Sequence, residues 1–166
     1  GLNINEIDAE GLTALMHAAR LGRTDYIAAM LATEDILVDY YLPYRRDNMP
    51  ALLQAAKAEQ WESAMALISV QETRGNVNIA NWHNQSALYF AVNVDRENLN
   101  NERRQEFIGS LLAKQDIDVN MVQTEAIDGF ADETTLLMEV VTQRDWWTFD
   151  QLMLRRDLDL TLTAEV

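Results

Sequence analysis

The residue types that most often carry chemistry are scarce in this chain. It contains two histidines, His17 and His83, and no cysteine. Without a thiol, a histidine cluster or a glycine-rich phosphate loop, it lacks the groups from which nucleophilic triads, zinc sites and nucleotide sites are built. We therefore expect no catalytic residue, no cofactor and no metal, and a function other than that of an enzyme.

One acidic segment has a superficial likeness to a calcium-binding loop. The run Asp116-Ile117-Asp118-Val119-Asn120 alternates oxygen ligands, but it lacks the glycine at the sixth position and the glutamate at the twelfth that such loops use. Similar short segments recur at Asn76-Val77-Asn78 and Asp159-Leu160-Thr161. This recurrence favours a turn that closes a repeat over a metal site.

The composition limits the class of protein and of partner. The chain has 166 residues, 48% of them hydrophobic, and a formal charge of -14 from 13 basic and 27 acidic residues. This length predicts one domain or one short repeat array with enough apolar surface for a core. The negative charge disfavours nucleic acid and anionic membrane surfaces. The lack of cysteine fits the reducing cytoplasm and is compatible with the periplasm.

The elements that must position any functional residue are repeated along the chain. Residues 13–31 recur as 135–154, and weaker copies begin at Pro50 and Ser86. In each copy small and apolar residues at spacings of three and four predict a first helix, and a second apolar run predicts a second one. The inward stripes of the second helices are Ile27, Met30 and Leu31; Ala64, Leu67 and Ile68; Ile108, Leu111 and Leu112; and Phe149, Leu152 and Met153. Because so short a unit cannot bury its stripe alone, the units should stack as an all-α helix-turn-helix solenoid with hairpin fingers.

The first unit resembles the ankyrin repeat. The positions that carry the resemblance are Asp8, Gly11, Thr13, Leu15, Ala18, Ala19, Gly22, Leu31 and Val38. It implies a single domain of about four degenerate repeats, roughly 6–39, 40–78, 79–120 and 121–161, typical of divergent, bacterial members. Glu59 and Arg144 stand where the first unit has Gly22, so we expect those turns to be less regular. A helical-hairpin solenoid with longer helices is the alternative architecture.

The repeat periods exceed the usual length of about 33 residues. Equivalent helix starts are separated by 37, 36 and 49 residues, from Thr13 to Pro50, Ser86 and Thr135. Counting between matched positions places extra residues at 94–103, between the helices of the third unit, and in the second and fourth fingers. The polar run at 95–98 predicts that the third-unit insertion is peripheral to folding.

In ankyrin-type stacks the hairpin tips and first helices form one continuous concave face that binds protein partners. The resemblance assigns to the exposed hairpin positions Ala9, Glu10 and Leu12; Arg46, Asp47 and Met49; Trp82, His83 and Gln85; and Ala131, Asp132 and Thr134. It assigns to the exposed helix positions Arg20, Lys57, Asn93 and Thr142. The basic residues among them are Arg20, Arg46 and Lys57. Together with Arg45 they form a local basic stripe suited to an acidic or phosphorylated segment of a partner.

Aromatic and basic residues refine this map, because they carry a disproportionate share of interface energy. The predicted partner-binding residues are Tyr41, Tyr44, Arg46, Met49, Lys57, Trp82, His83 and Gln85. Tyr40 and Tyr41 could equally staple neighbouring fingers together, and Trp61, Trp146 and Trp147 are expected to pack or cap the second helices. The resulting hypothesis is a monomeric module that binds a protein or peptide. The alternative is a regulatory or substrate-recruiting segment of a larger enzyme or secreted effector.

Overall fold

The computed structural model describes residues 3–42, 48–74, 76–127 and 130–161, with the backbone only for 71–74, 124–127 and 130–132. These residues are mostly helical, as predicted, and include one small antiparallel sheet. The helices are α1 (Ala14–Arg20), α2 (Thr24–Leu31), α3 (Ala51–Lys57), α4 (Trp61–Arg74), α5 (Ala87–Val92), α6 (Glu102–Leu112), α7 (Leu136–Gln143) and α8 (Trp146–Met153), with a short 3-10 helix at Arg96–Asn98. The sheet pairs β1 (Val122–Ile127) with β2 (Phe130–Thr135) and forms the enlarged fourth finger.

The helices form two layers. In one, α1 packs on α3, α3 on α5 and α5 on α7; in the other, α2 packs on α4, α4 on α6 and α6 on α8. One hydrophobic cluster runs between them, and the predicted inward residues Ile27, Leu67, Leu111 and Leu152 are completely buried in it. Met153 and Trp146, predicted to pack, are largely exposed, because no described element lies on the outer side of α8.

The first helices begin where their sequences place a cap. The side-chain hydroxyls of Thr13, Ser86 and Thr135 each accept a hydrogen bond of 3.3 to 3.4 Å from the backbone N–H three residues on. These bonds satisfy one of the N–H groups that a helix leaves without a partner. Pro50 precedes α3 without a side-chain bond. The predicted helix starts are therefore confirmed.

The turns between the paired helices are more regular than their sequences indicate. Glu59 and Arg144 have φ values of 54° and 60°, close to the 70° of Gly22. In all three turns this residue donates to the carbonyl three residues earlier, and the next residue donates to the carbonyl five residues earlier. The prediction of irregular turns is wrong, because this hydrogen-bond pattern requires a left-handed residue whatever its side chain.

Replacing Arg144 by glycine is expected to raise the free energy of unfolding by about 0.5 to 1 kcal/mol. A left-handed conformation costs a non-glycine residue roughly 1 to 2 kcal/mol, and the greater freedom of glycine in the unfolded chain cancels part of this gain. Urea denaturation followed by circular dichroism measures the change. Arg144→Ala is the control, since it removes the long side chain and keeps the Cβ atom. Equal stabilities of the two variants would show that the turn is unstrained.

The insertion in the third unit is part of the core, so the prediction that it is peripheral is wrong. Val94 is buried, and Leu99 packs against the hydrophobic cluster. Asn101 caps α6 by accepting a hydrogen bond of 3.1 Å from the Arg104 N–H through Oδ1. The polar run at 95–98 indicates a solvent-exposed loop, but the residues that pack, Val94 and Leu99, lie on either side of it.

A buried arginine connects the insertion to two other elements. Arg104 is fully buried, and its guanidinium donates to the carbonyls of Ala91 at 2.5 Å and Leu99 at 2.8 Å. It also forms an ion pair with Asp145, whose carboxylate accepts bonds from the Thr148 N–H at 3.1 Å and hydroxyl at 2.5 Å. The cluster therefore links the end of α5, the insertion and the start of α8.

Asparagine side chains connect the closing turns of neighbouring units. Asn78 donates from Nδ2 to the carbonyl of Asp116 at 2.6 Å and accepts from the N–H of Asp118 at 2.8 Å. Asn5 and Asn120 bridge to residues 35 and 37 and to residues 157 and 159 in the same way. The segment that resembles a calcium loop is thus one of these turns.

Candidate functional site

Four polar residues occupy equivalent positions on the first helices. Arg20, Lys57, Asn93 and Thr142 are all exposed, as predicted; we call them the first-helix row. They belong to the layer in which α1, α3, α5 and α7 pack in sequence. The row is cationic at Arg20 and Lys57 and neutral at Asn93 and Thr142, so any ligand that follows it meets two chemically different halves.

A cavity of about 310 Å³ lies in the middle of this row, between α3 and α5. Its lining residues are Lys57, Glu59, Gln85, Tyr89, Phe90, Asn93 and Val94. This cavity, which we call the α3–α5 cavity, brings together Lys57 and Gln85, two residues predicted from sequence to contact a partner. It also adds an aromatic wall that sequence reasoning did not assign.

The sequence does contain a signal for the aromatic wall, which appears when the four units are compared position by position. Phe90 stands at the same place in its helix as His17, Gln54 and Glu139 in the other units. A half-exposed aromatic residue at a position that is otherwise polar indicates a surface role. Its neighbour Tyr89 is almost fully buried and packs edge-to-face against it at 5.8 Å.

Hydrogen bonds to other side chains hold two of the amides that line the cavity. Asn93 donates from Nδ2 to the hydroxyl of Tyr89 at 2.8 Å and accepts at Oδ1 from Gln143 Nε2 at 3.2 Å. Gln85 accepts at Oε1 from Asn81 Nδ2 at 2.8 Å. The acceptor atoms of both amides are therefore engaged by other protein side chains.

The two charged residues of the cavity differ in their surroundings. Lys57 is exposed and, within the part of the chain that the structure describes, has no ion-pair partner. Glu59 accepts a hydrogen bond of 2.9 Å from Asn98 Nδ2 through Oε2. The cavity thus contains a lysine that forms no ion pair with the described residues. It also contains a carboxylate with one oxygen hydrogen-bonded to the insertion.

Two of the fingers share one turn design. Asp8 and Asn81 each accept two backbone N–H bonds through Oδ1, and Gly11 and Asn84 supply the left-handed residue of the turn. In the third finger these hydrogen bonds leave Trp82 and His83, the two residues after Asn81, at the tip. Trp82 is 57% exposed there, and His83 beside it is also exposed. The predicted exposure of both residues is confirmed.

The other histidine holds the first finger against α1. Arg20 donates from Nη2 to His17 Nδ1 at 3.3 Å, so in the neutral ring the hydrogen is on Nε2, which lies 2.6 Å from Asp8 Oδ2. The hydrogen bond from His17, with one from the Leu12 N–H, lowers the pKa of Asp8 to about 2. The side chain of His17 is therefore hydrogen-bonded within the protein through both ring nitrogens.

Two predicted contact residues are not available to a partner. Met49 and Leu12 hold the last finger position before a first helix, and both are buried, with 4% and 7% of their surface exposed. Both predictions of exposure are wrong, because an apolar side chain at this position packs into the hydrophobic cluster beneath the finger. Gln85 and Thr134, at the same position in the other units, are half-buried.

The second finger is described only in part. Tyr40 and Tyr41 are half-buried and pack against the hydrophobic cluster. Tyr44 and Arg46, together with Arg45 and Asp47, lie outside the described residues. The packing of Trp61 and Trp147 agrees with expectation, since Trp61 is buried and Trp147 contacts the cluster.

No family model matches the chain, and no curated protein is similar enough to count as a match. In the part of the chain that the structure describes, no three histidine, cysteine, aspartate or glutamate residues are grouped so that they could hold a metal ion. None of the helices there has the length and apolar character needed to cross a membrane.

Proposed function

We propose that this protein is an ankyrin-type repeat domain that binds one protein or peptide, without catalysis, along the first-helix row and the finger tips. The observation that carries the proposal is the α3–α5 cavity, which lies within a row of equivalent, exposed polar residues. A cleft that crosses neighbouring repeats allows an extended ligand to contact several units at once.

Two further observations support the use of this face. Trp82 exposes a large aromatic surface at a finger tip, and tryptophan is among the residues most enriched at interface hot spots. On the second-helix layer the exposed acidic residues Asp25 and Glu62 are engaged in ion pairs with arginines. A partner would have to displace those contacts, whereas Lys57 offers an unpaired charge.

The proposal is tested by selecting peptides from a random display library on the intact domain and titrating the best of them against variants. Trp82→Ala is expected to weaken binding by roughly 1 kcal/mol or more, because a hot-spot side chain is truncated. Its circular dichroism spectrum should stay unchanged, since the side chain is exposed.

Asp25→Ala and Asp150→Ala are matched controls on the second-helix layer, where both residues are exposed. They should bind the selected peptides as the unsubstituted domain does. Loss of binding in these controls, with retention in Trp82→Ala, would place the ligand on the other layer. If no peptide that binds this face can be selected, the proposed function itself is contradicted.

A further inference from the structure

Apart from Glu59, the polar side chains that line the α3–α5 cavity offer a ligand hydrogen-bond donors, while their acceptor oxygens are engaged by other side chains. Asn93 uses one of the two hydrogens on Nδ2 for Tyr89, and its Oδ1 is occupied by Gln143. One N–H of Asn93 is therefore left for a ligand. The Gln85 acceptor is likewise occupied, by Asn81. A ligand group that contacts Asn93 and Gln85 must therefore accept hydrogen bonds.

The charge of Lys57 adds to this donor character. Its ammonium has three N–H donors and no acceptor, and no described carboxylate pairs with it. Hydrogen bonds in which one partner is charged are roughly twice as strong as neutral ones. The acceptor best matched to an ammonium and an amide N–H is a carboxylate.

Phe90 limits the shape of the group that carries this carboxylate. It lines the cavity beside Asn93 and is half-exposed, so it offers an apolar surface to whatever leads into the site. A glutamate side chain presents two methylene groups before its carboxylate, and burying such groups against an aromatic ring is favourable.

We propose that the α3–α5 cavity is a subsite for a glutamate side chain of the bound polypeptide, with its carboxylate on Lys57 and Asn93 and its methylene groups on Phe90. The inference rests on the proposed function and specifies the chemistry of its partner. The chain as a whole carries a formal charge of -14, so recognition depends on these local contacts against an unfavourable overall field. The negative charge of Glu59, which lines the cavity, repels the ligand carboxylate.

The test uses blocked glutamate, N-acetyl-glutamate N-methylamide, as the probe, with the glutamine analogue as its neutral match. Binding is followed by the NMR signals of the Asn93 side-chain amide, assigned with Asn93→Ser. We expect saturable shifts with blocked glutamate and at least about threefold weaker binding of the glutamine analogue, the size expected for an exposed charge contact. Added salt should weaken the binding of blocked glutamate.

Two variants should act in opposite directions. Lys57→Met, which keeps an unbranched side chain one atom shorter and removes the charge, is expected to reduce affinity for blocked glutamate about threefold or more. Glu59→Gln should increase it, because the opposing charge is removed while an oxygen remains for Asn98. Lys114→Met is the matched control, since Lys114 is the only other lysine of the chain and lies outside the cavity. It should leave affinity unchanged.

The results that would overturn the subsite are distinct from those that would overturn the proposed function. Equal binding of the glutamate and glutamine probes, no saturable shift, or weaker binding after Glu59→Gln would each refute it. Tighter binding of N-acetyl-glycylglycine, whose carboxylate is terminal, would refute the side-chain assignment. If selected peptides need Trp82 but contain no acidic residue that Lys57→Met affects, the proposed function stands and the subsite falls. If blocked glutamate binds and no peptide is selected, the subsite stands and the proposed function falls.

Discussion

Replacing Arg104 by methionine is expected to lower the free energy of unfolding by about 3 to 5 kcal/mol, the usual consequence of removing one partner from a buried ion pair. The arginine is fully buried, and the carboxylate of Asp145 beside it is almost so. Without the guanidinium, Asp145 becomes an uncompensated buried charge, and the carbonyls of Ala91 and Leu99 lose their donors. Urea denaturation measures the loss.

A second substitution separates the charge from the loss of packing. Asp145→Asn removes the charge and keeps an oxygen for the Thr148 N–H, so Arg104→Met combined with Asp145→Asn should be more stable than Arg104→Met alone. Arg103→Met is the neighbouring control: Arg103 is exposed and pairs with Glu62 and Glu106 at the surface. Its loss should leave stability nearly unchanged. Comparable destabilisation by Arg103→Met would mean that burial of the ion pair does not determine its contribution.

Truncating Leu88 to alanine is expected to lower the free energy of unfolding by about 2 to 5 kcal/mol, because the variant loses buried apolar surface and leaves a cavity. Leu88 is 1% exposed, on α5, which packs against both α3 and α7. The same cluster contains residues from all eight helices or their flanks, so the loss should extend to the neighbouring units. Thermal unfolding recorded by circular dichroism and tryptophan fluorescence measures it.

Leu154→Ala provides the matched control for this truncation. The same side chain is removed, but Leu154 is 78% exposed, and exposed substitutions away from special features change stability by about 0.5 kcal/mol or less. Coincident loss in both variants would contradict the assignment of the core. A larger loss in Leu154→Ala would indicate that another molecule covers the end of α8 in solution.

Local chemistry made much of this architecture predictable. Thr13, Ser86 and Thr135 were placed at helix starts from sequence, and each caps its helix. A cap involves a side chain and a backbone N–H three residues away, so its signal lies within one short segment. The second-helix stripes were also predictable, because helical spacing puts apolar residues on one side of the same element.

Burial, in contrast, was decided by units that lie far away in the chain. Met49 and Trp82 were both predicted as exposed finger residues, and only Trp82 is. Trp82 lies at the tip of its finger and Met49 next to the first helix, and only the packed structure shows that the second of these places lies over the hydrophobic cluster. The α3–α5 cavity has the same origin, since Lys57 and Asn93 belong to different units and meet only when α3 packs on α5.

Backbone conformation and buried charge also required the tertiary structure. Glu59 and Arg144 adopt the conformation of Gly22, although their side chains disfavour it, because packing of the paired helices imposes the turn. Arg104 can be buried because Asp145, 41 residues further along the chain, supplies its counter-charge. The sequence by itself determined which segments are helices and where the first helices begin. The packing between units decided which side chains are covered and which remain to bind a partner, since burial depends on neighbours that short-range patterns do not encode.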